Sequence, residues 1–187
     1  NIRDIRNSQG KQKTIVIQPF GQSAITDYDG NVADASSRSL SSENYINLVH
    51  KLSQEFNIIF FGEPVFYLPQ DTYTCKMEND LRGWASIIEA SDYFIGCDSV
   101  GQHMARAVNV PGTVILGSSF ASNCTYVDYF NIIEKNNIEK HYSPIRISNA
   151  DSYITNYINE DAINFTDEEM NDIYNNIRTH LEYCTNK

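Results

Sequence analysis

The chain lacks any apolar run close to the roughly 20 residues that a helix needs to span a bilayer. Its first residues, Asn1-Ile2-Arg3-Asp4, also lack the apolar core of a secretory signal peptide. These absences indicate neither a transmembrane segment nor export. We therefore expect a cytoplasmic protein.

Positive charge is scarce. The 187 residues carry 14 Lys and Arg against 24 Asp and Glu, which gives a net charge of −10 and a pI near 4.7. Such acidity argues against general binding to nucleic acid or to an anionic membrane. Much of the acidity lies in residues 151–187, so the region before them can still form a local positive pocket.

Cysteine is also infrequent, and no pair of cysteines has the close spacing of a zinc site. Reduced thiols are therefore favoured over disulfides, as is usual in a cytoplasmic protein. Cys97 is expected to be a small buried side chain in a central strand. The four residues are Cys75, Cys97, Cys124 and Cys184.

Several catalytic and cofactor motifs are missing. The dinucleotide fingerprint Gly-x-Gly-x-x-Gly and the P-loop are absent, which argues against a nicotinamide enzyme or a standard ATPase. The Gly-x-Ser-x-Gly elbow of serine hydrolases is absent too. No metal ligands cluster in the sequence, so we expect neither a metal nor a cofactor. His50, His141 and His180 have no evident partner, and we expect them at the surface.

What the sequence does contain is centred on residues 93–107. Tyr93–Cys97 is a short apolar run with β-favouring residues, which predicts a buried strand. Asp98 and Ser99 are both N-cap residues, and apolar residues at helical spacing follow them. Pro111 and Gly112 end this predicted helix, and residues 112–117 read as the next strand. A strand, a helix and a strand form a βαβ unit, which binds ligands at the carboxyl ends of its strands.

Strands and helices alternate along the rest of the chain. This alternation predicts an α/β fold: a Rossmann-like parallel sheet with helices on both faces. Residues 1–13 are typical of a linker or a frayed end, and residues 14–187 are predicted to form a single domain. Strands are predicted at 14–20, 58–62 and 72–77, with a weaker strand within 132–147. Helices are predicted at 41–56, 84–91 and 166–183, and the last begins with the capping box Thr166-Asp167-Glu168-Glu169. Residues 24–39 are predicted to form a polar loop and residues 81–83 a turn. Residues 120–130 are aromatic and polar with no clear period.

The turn after the central strand suits a phosphate. The first amides of a helix have no internal partner, and the helix dipole adds partial positive charge. Gly101 would let an anion approach the backbone, and Ser99 and His103 could add hydrogen bonds. The alternative is that Ser99 only caps a helix and that His103 is a surface side chain. Similarly, Gly21-Gln22-Ser23 after the first strand either contacts a phosphate or is an ordinary turn.

This pattern resembles glycosyltransferase family 9, the heptosyltransferases, whose architecture is GT-B. The resemblance rests on Asp-Ser-x-Gly-x-His-x-Ala-x-Ala at residues 98–107, followed by Val110-Pro111 and a strand that ends in Gly117. It extends over residues 14–117. The landmarks that match in order are Gly21-x-Ser23, Arg38, Gly62-Glu63, Leu81-x-Gly83 and Asp98-Ser99…His103.

The resemblance implies that residues 14–187 are the donor-binding half of a GT-B enzyme, similar to its C-terminal domain. The donor would be a nucleotide-diphosphate sugar, and transfer would be inverting and metal-independent. Glu63, Met77 and Leu81 would contact the ribose or the base. The donor and its phosphates would be bound by Gly21, Ser23, Arg38, Asp98, Ser99, Gly101, Gln102 and His103.

The resemblance also implies that the catalytic base lies outside this chain. An N-terminal acceptor domain or a partner chain would supply it, and the acceptor would be a glycan or a lipid-linked molecule. Two positions depart from the family: Val100 replaces a glycine, and Arg38-Ser39-Leu40 replaces Lys-x-Trp. The Val100 departure and the length of a single domain favour the alternative of a non-catalytic nucleotide- or sugar-binding module, or a scaffold, that keeps the fold without transfer.

Overall fold

The computed structural model describes residues 11–21, 24–26, 32–34, 38–62, 68–75, 80–117, 119–135 and 164–185. Strands in these ranges alternate with helices along most of the chain. The strands are β1 (Thr14–Gln18), β2 (Ala24–Thr26), β3 (Val32–Asp34), β4 (Asn57–Phe61), β5 (Thr72–Cys75), β6 (Tyr93–Gly96), β7 (Gly112–Leu116) and β8 (Asn131–Glu134). The helices are α1 (Ser42–Ser53), α2 (Leu81–Glu89), α3 (Val100–Ala107), α4 (Ala121–Cys124) and α5 (Asp167–Thr185).

Six of the strands form one parallel sheet in the order β5-β4-β1-β6-β7-β8. The first strand lies at the centre: Val16 pairs with Ile59 of β4 on one side and with Phe94 of β6 on the other. Numbered among themselves, the strands follow the order 3-2-1-4-5-6 of a dinucleotide-binding fold. The order therefore reverses between β1 and β6. Ligands of open α/β sheets bind at the carboxyl ends of the strands where this happens, and this position at the ends of β1 and β6 is called the crevice below.

Helices cover both faces of the sheet, because successive side chains of a strand point to opposite sides. Ile15 and Ile17 face α1 and α5, where Leu48 and Ile177 are fully buried. Val16 faces the other layer. That layer packs α2 and α3 against the sheet through residues such as Trp84, Ile88 and Ala105. The predicted Rossmann-like sheet with helices on both faces is confirmed.

The predicted strands and long helices are present, with ends that differ by a few residues. The capping box at the start of α5 is confirmed: Thr166 N donates to a carboxylate oxygen of Glu169 at 2.7 Å, and Glu169 N donates to Thr166 Oγ1 at 3.3 Å. The weak strand predicted within 132–147 is β8. Residues 136–147 of that range lie outside the described residues.

The turn predicted at Leu81-Arg82-Gly83 is wrong, because these residues form the first turn of α2. Asp80 is the N-cap, and its Oδ1 accepts a hydrogen bond from Gly83 N at 2.9 Å. A Cβ on residue 83 would lie 2.5 Å from the other carboxylate oxygen. The glycine therefore serves a capping contact at the helix start and does not mark a turn.

Two other irregular regions contain regular structure. The polar loop predicted at Ala24–Ser39 holds the antiparallel hairpin β2–β3, in which Ala24 pairs with Asp34. The aromatic stretch at 120–130 holds the short helix α4. Strands of three residues and a helix of four are too short to leave a readable period in a sequence.

The surface position predicted for His180 is also wrong. It is half-buried, and its Nδ1 lies 2.6 Å from the hydroxyl of the fully buried Tyr93. The prediction failed because the strand and α5 that supply this pair lie 87 residues apart. His50 is exposed, as predicted, and His141 lies outside the described residues.

None of the four cysteines is part of a disulfide, and Cys97 is buried directly after β6. Residues 1–10 of the predicted linker lie outside the described part of the chain, whereas residues 11–13 contact the fold. Asn57 Nδ2 donates to the carbonyl oxygen of Lys11 at 2.9 Å, and Asn57 N donates to that of Lys13 at the same distance. None of the described helices combines the length and the apolar character of a membrane span.

Candidate functional site

The structure brings three of the predicted site residues together at the crevice between β1 and β6. Gly21 follows β1, and Asp98 follows β6. The Arg38 guanidinium lies between them: its Nη1 donates to the Asp98 carbonyl oxygen at 3.4 Å. Its Nη2 would lie 3.6 Å from a Cβ built on Gly21. Residues 21, 38 and 98 are far apart in sequence and converge because the strand order reverses here.

Two hydrogen bonds fix the segment that carries Arg38 to the residues that follow β1. Leu40 N donates to the Pro19 carbonyl oxygen at 3.1 Å, and Gly21 N donates to Ser39 Oγ at 2.9 Å. Ser39 Oγ in turn donates to a carboxylate oxygen of Asp34, which also accepts from Ser39 N at 3.2 Å. Asp34 and Ser39 are 5% and 2% exposed. Sequence reasoning missed both residues, because each looked like an ordinary polar residue of a loop.

The start of α3 is capped by a side chain of strand β1. Ser99 occupies the N-cap position, but its side chain makes no capping bond within the helix. Instead Gln18, the last residue of β1, accepts from Gly101 N through Oε1 at 2.9 Å and donates through Nε2 to Ser99 Oγ at 3.1 Å. Sequence reasoning missed Gln18 as well. The available signal was a glutamine at the end of an otherwise apolar central strand.

Gly101 and Gln102 face the protein interior. A Cβ on Gly101 would lie 2.1 Å from Gln18 Oε1 and 2.7 Å from Phe94 Cζ, so the glycine allows close packing against the sheet. Gln102 is fully buried, and its Nε2 donates to the Cys124 carbonyl oxygen at 2.9 Å. The Gly101 amide and the Gln102 Nε2 group are therefore both engaged inside the protein, whereas Gln102 Oε1 has no hydrogen-bond partner among the described residues. The structure thus gives Gly101 a role in capping and packing, and contact of its backbone with an anion stays a prediction.

His103 lies on the exposed side of α3. Its Nδ1 is 3.1 Å from the hydroxyl of Tyr126, and the two rings meet edge to face with centroids 5.6 Å apart. One turn further along, the Arg106 guanidinium lies 4.5 Å from the centroid of the Tyr129 ring. These side chains form an aromatic and basic rim that runs along α3 from His103 to Arg106 in its last turn.

The electrostatics of the crevice are mixed. Burial raises the pKa of the Cys97 thiol well above its usual value, Asp98 and Asp34 raise it further, and Arg38 lowers it. Arg38 Nη2 and Asp34 Oδ2 would each lie 3.6 Å from a Cβ on Gly21, so the guanidinium and this carboxylate lie beside the same glycine. Asp98 Oδ2 also accepts from Ser119 Oγ at 3.1 Å. The Arg38 cation is therefore offset by nearby carboxylates.

Of the residues predicted to contact the ribose or the base, the structure describes Leu81 alone. Leu81 begins α2 and is 52% exposed. Glu63 and Met77, together with the predicted phosphate ligand Ser23, lie outside the described residues. In the part of the chain that the structure describes, no group of three or more His, Cys, Asp and Glu side chains is arranged to hold a metal ion.

Comparison with known proteins gives matches at the level of structure. No family model and no curated protein matches the chain. Among solved structures, the E. coli ADP-heptose LPS heptosyltransferase II matches with a TM-score of 0.53 and 16% identity over 78% of this chain. The iron-containing dodecameric glycosyltransferase TibC from enterotoxigenic E. coli matches with a TM-score of 0.52 and 14% identity over 90% of it.

The chain spans less than half of each of these structures, 46% of heptosyltransferase II and 47% of TibC. Identities of this size establish the fold alone. The chain therefore has a heptosyltransferase-like, Rossmann-type α/β fold, as its sequence pattern predicts.

Proposed function

We propose that this chain is the donor-binding half of a glycosyltransferase and that it binds a nucleotide-diphosphate sugar at the crevice between β1 and β6. The observation that carries the proposal is the convergence of Gly21, Arg38 and Asp98 with the start of α3 at the point where the strand order reverses. Ligands of open α/β sheets bind at such a point.

The diphosphate is the part of the donor that this site suits best. A guanidinium pairs with phosphate oxygens through two parallel N–H donors, and such pairs are among the stronger hydrogen bonds in proteins. The N-terminus of α3 adds partial positive charge on the same side. His103, exposed on the first turns of α3, can donate to a phosphate or a sugar hydroxyl that lies above the helix.

In the reaction that we propose, an acceptor hydroxyl attacks the anomeric carbon of the donor sugar. The new C–O bond forms as the bond to the diphosphate oxygen breaks, so the configuration inverts. A base from an acceptor domain or a partner chain takes the hydroxyl proton. Arg38 and the start of α3 stabilise the charge that develops on the leaving diphosphate, without a metal in the proposed scheme. By itself the chain should bind donor weakly and transfer little.

The E. coli heptosyltransferase II is named for ADP-heptose. ADP is therefore the first nucleotide to test, beside UDP, GDP and CDP. Calorimetry on the native chain should identify one diphosphate that binds. Arg38→Ala and His103→Ala should each weaken its binding, Arg38→Ala by about tenfold or more, because a charge-assisted hydrogen bond is lost.

Arg178→Ala is the matched control. Its Nε lies 3.2 Å from a carboxylate oxygen of Glu55, just before β4, and so near the amino edge of the sheet. This variant removes the same charge from the chain without touching the crevice, and it should bind the diphosphate like the native chain. Equal losses in Arg38→Ala and Arg178→Ala would mean that net charge, and not this site, governs binding.

A second candidate is a sugar-binding module without transferase activity. The observation that favours it is that two acidic residues lie beside Arg38: Asp34 shares the surroundings of Gly21 with the guanidinium, and the Asp98 backbone accepts a hydrogen bond from it. Carboxylates accept hydrogen bonds from sugar hydroxyls and repel phosphates. Binding of free sugars or nucleosides that is as tight as that of nucleoside diphosphates would support this candidate against the first.

A further inference from the structure

We propose that Asp34 is a positioning residue that holds Arg38 in place against Gly21 for an anionic ligand. This inference rests on the proposed function and names a residue that the resemblance does not supply. Asp34 is the last residue of β3, where it pairs with Ala24 of β2, and it lies four residues before Arg38. The hairpin would thus act as a support for the guanidinium.

The contacts form a continuous chain from the hairpin to the end of β1. The Asp34 carboxylate accepts from both the amide and the hydroxyl of Ser39, the residue directly after Arg38. The Ser39 hydroxyl then accepts from Gly21 N at 2.9 Å. Each of these three residues is buried. A buried carboxylate requires such partners, so its loss would release Ser39 and, with it, the backbone that carries Arg38.

This role makes a prediction whose sign differs from that of simple electrostatics. Removing a negative charge beside an anion site strengthens anion binding if charge alone matters. Removing a positioning residue weakens binding, because Arg38 loses its fixed orientation and must be ordered by the ligand. Asp34→Ala therefore separates the two effects by the direction of the change.

The experiment is calorimetry with ADP, UDP, GDP and CDP on the native chain and on Asp34→Ala, Asp34→Asn and Ser39→Ala. The diphosphate that the native chain binds should bind about tenfold more weakly to Asp34→Ala and Ser39→Ala, and by an intermediate amount to Asp34→Asn, whose amide oxygen can still accept one bond. Asp71→Ala is the control, since that carboxylate pairs with Lys11 before β5. It should leave binding unchanged.

A double-mutant cycle distinguishes a role of Asp34 that acts through Arg38 from a purely structural role. In the Arg38→Ala background, Asp34→Ala should weaken diphosphate binding by less than about twofold, because the two residues act as one unit. Thermal unfolding checks that each variant folds. Should Asp34→Ala fail to fold, Ser39→Ala and Asp34→Asn carry the same test.

Each outcome decides the matter. Unchanged or tighter binding by folded Asp34→Ala would overturn the role of Asp34 and leave the proposed function standing. An equal loss with and without Arg38 would show that Asp34 does not act through that residue. Failure of the native chain to bind any diphosphate at millimolar concentration would overturn the proposed function and this inference together.

Discussion

Gly21 and Gly101 both lie at the crevice, yet their surroundings differ. A methyl group on Gly21 would meet its nearest atoms at 3.6 Å, which is ordinary contact. A methyl group on Gly101 would lie 2.1 Å from Gln18 Oε1 and 2.7 Å from the Phe94 ring. The two glycines therefore differ in purpose: the first leaves space beside Arg38, and the second allows α3 to pack against the sheet.

Alanine should consequently affect stability at Gly101 and ligand binding at Gly21. Gly101→Ala should lower the free energy of unfolding by about 1–3 kcal/mol, the usual cost of overpacking. Gly21→Ala should change that free energy by less than about 0.5 kcal/mol. It should weaken diphosphate binding, because the methyl group takes space beside the guanidinium. Urea unfolding and calorimetry measure the two effects, and a Gly101→Ala variant as stable as the native chain would refute this packing account.

Two buried tyrosines offer a similar pair. The Tyr45 hydroxyl has no hydrogen-bond partner among the described residues, and burial raises the pKa of Tyr45 to about 12. The Tyr93 hydroxyl lies 2.7 Å from Thr113 Oγ1 and 2.6 Å from His180 Nδ1. Both rings are fully buried, so they differ chiefly in whether the hydroxyl is satisfied.

Phenylalanine should therefore stabilise at one position and destabilise at the other. Tyr45→Phe should raise the free energy of unfolding by about 1 kcal/mol, since it removes an unpaired polar group from the core. Tyr93→Phe should lower it by about 1–2 kcal/mol, since it leaves Thr113 and His180 without a shared partner. Chemical denaturation of both variants gives the answer, and changes of the same sign would contradict it.

The residues that sequence reasoning missed are those whose role depends on proximity in space. Gln18 caps a helix whose contacted residue, Gly101, lies 83 positions further along the chain. Asp34 and Ser39 lie close in sequence but become a unit only where they reach the end of β1. Asp98 was found from its position at the end of a predicted strand, and Arg38 from the resemblance, whereas spacing alone does not predict their contact.

At the scale of elements, the hydrophobic pattern predicted the strands and helices that bury apolar side chains in the core. Buried parallel strands read as short apolar runs, and α5 shows a capping box with an apolar face, so their positions were predictable. The hairpin β2–β3 was not, because its sequence is rich in Asp, Gly and Asn and its strands have three residues each. Such strands owe their structure to the surroundings into which they fold.

Helix α5 is held to the sheet by a contact that depends on pH. Burial lowers the pKa of His180 below its ordinary value of 6.5. The unfolded chain therefore binds more protons than the folded one as pH falls through 6.5, and the free energy of unfolding decreases in that direction. Above pH 6.5 the imidazole is neutral in both states, and the contribution of His180 is fully present.

We predict that the melting temperature of the native chain falls between pH 7.5 and pH 5 by more than that of His180→Asn, in which the titrating group is absent. His50→Asn is the matched control, because His50 is exposed on the surface of α1. It should keep the full decrease of the native chain. Thermal unfolding at both pH values measures this, and an identical decrease in His180→Asn would contradict the prediction.

At the scale of the whole molecule, the strand order accounts for the position of the candidate site. The order 3-2-1-4-5-6 brings the ends of β1 and β6 together, and the chain adds Gly21 after one and Asp98 after the other. The same fold occurs in heptosyltransferase II and TibC, of which this chain spans slightly less than half. The fold was thus predictable from the sequence, whereas donor binding and transfer remain proposals.

The most direct test of the central claim is to map where a nucleoside diphosphate binds. Amide chemical shifts of the isotope-labelled chain are followed by NMR during titration with ADP, UDP, GDP and CDP. We predict the largest changes at Gly21, at 38–40 and at 98–103, and their loss in Arg38→Ala. Changes confined to the opposite edge of the sheet, around Lys13 and Asp92, or no change with any of the four nucleotides, would contradict the assignment of this crevice as a donor site.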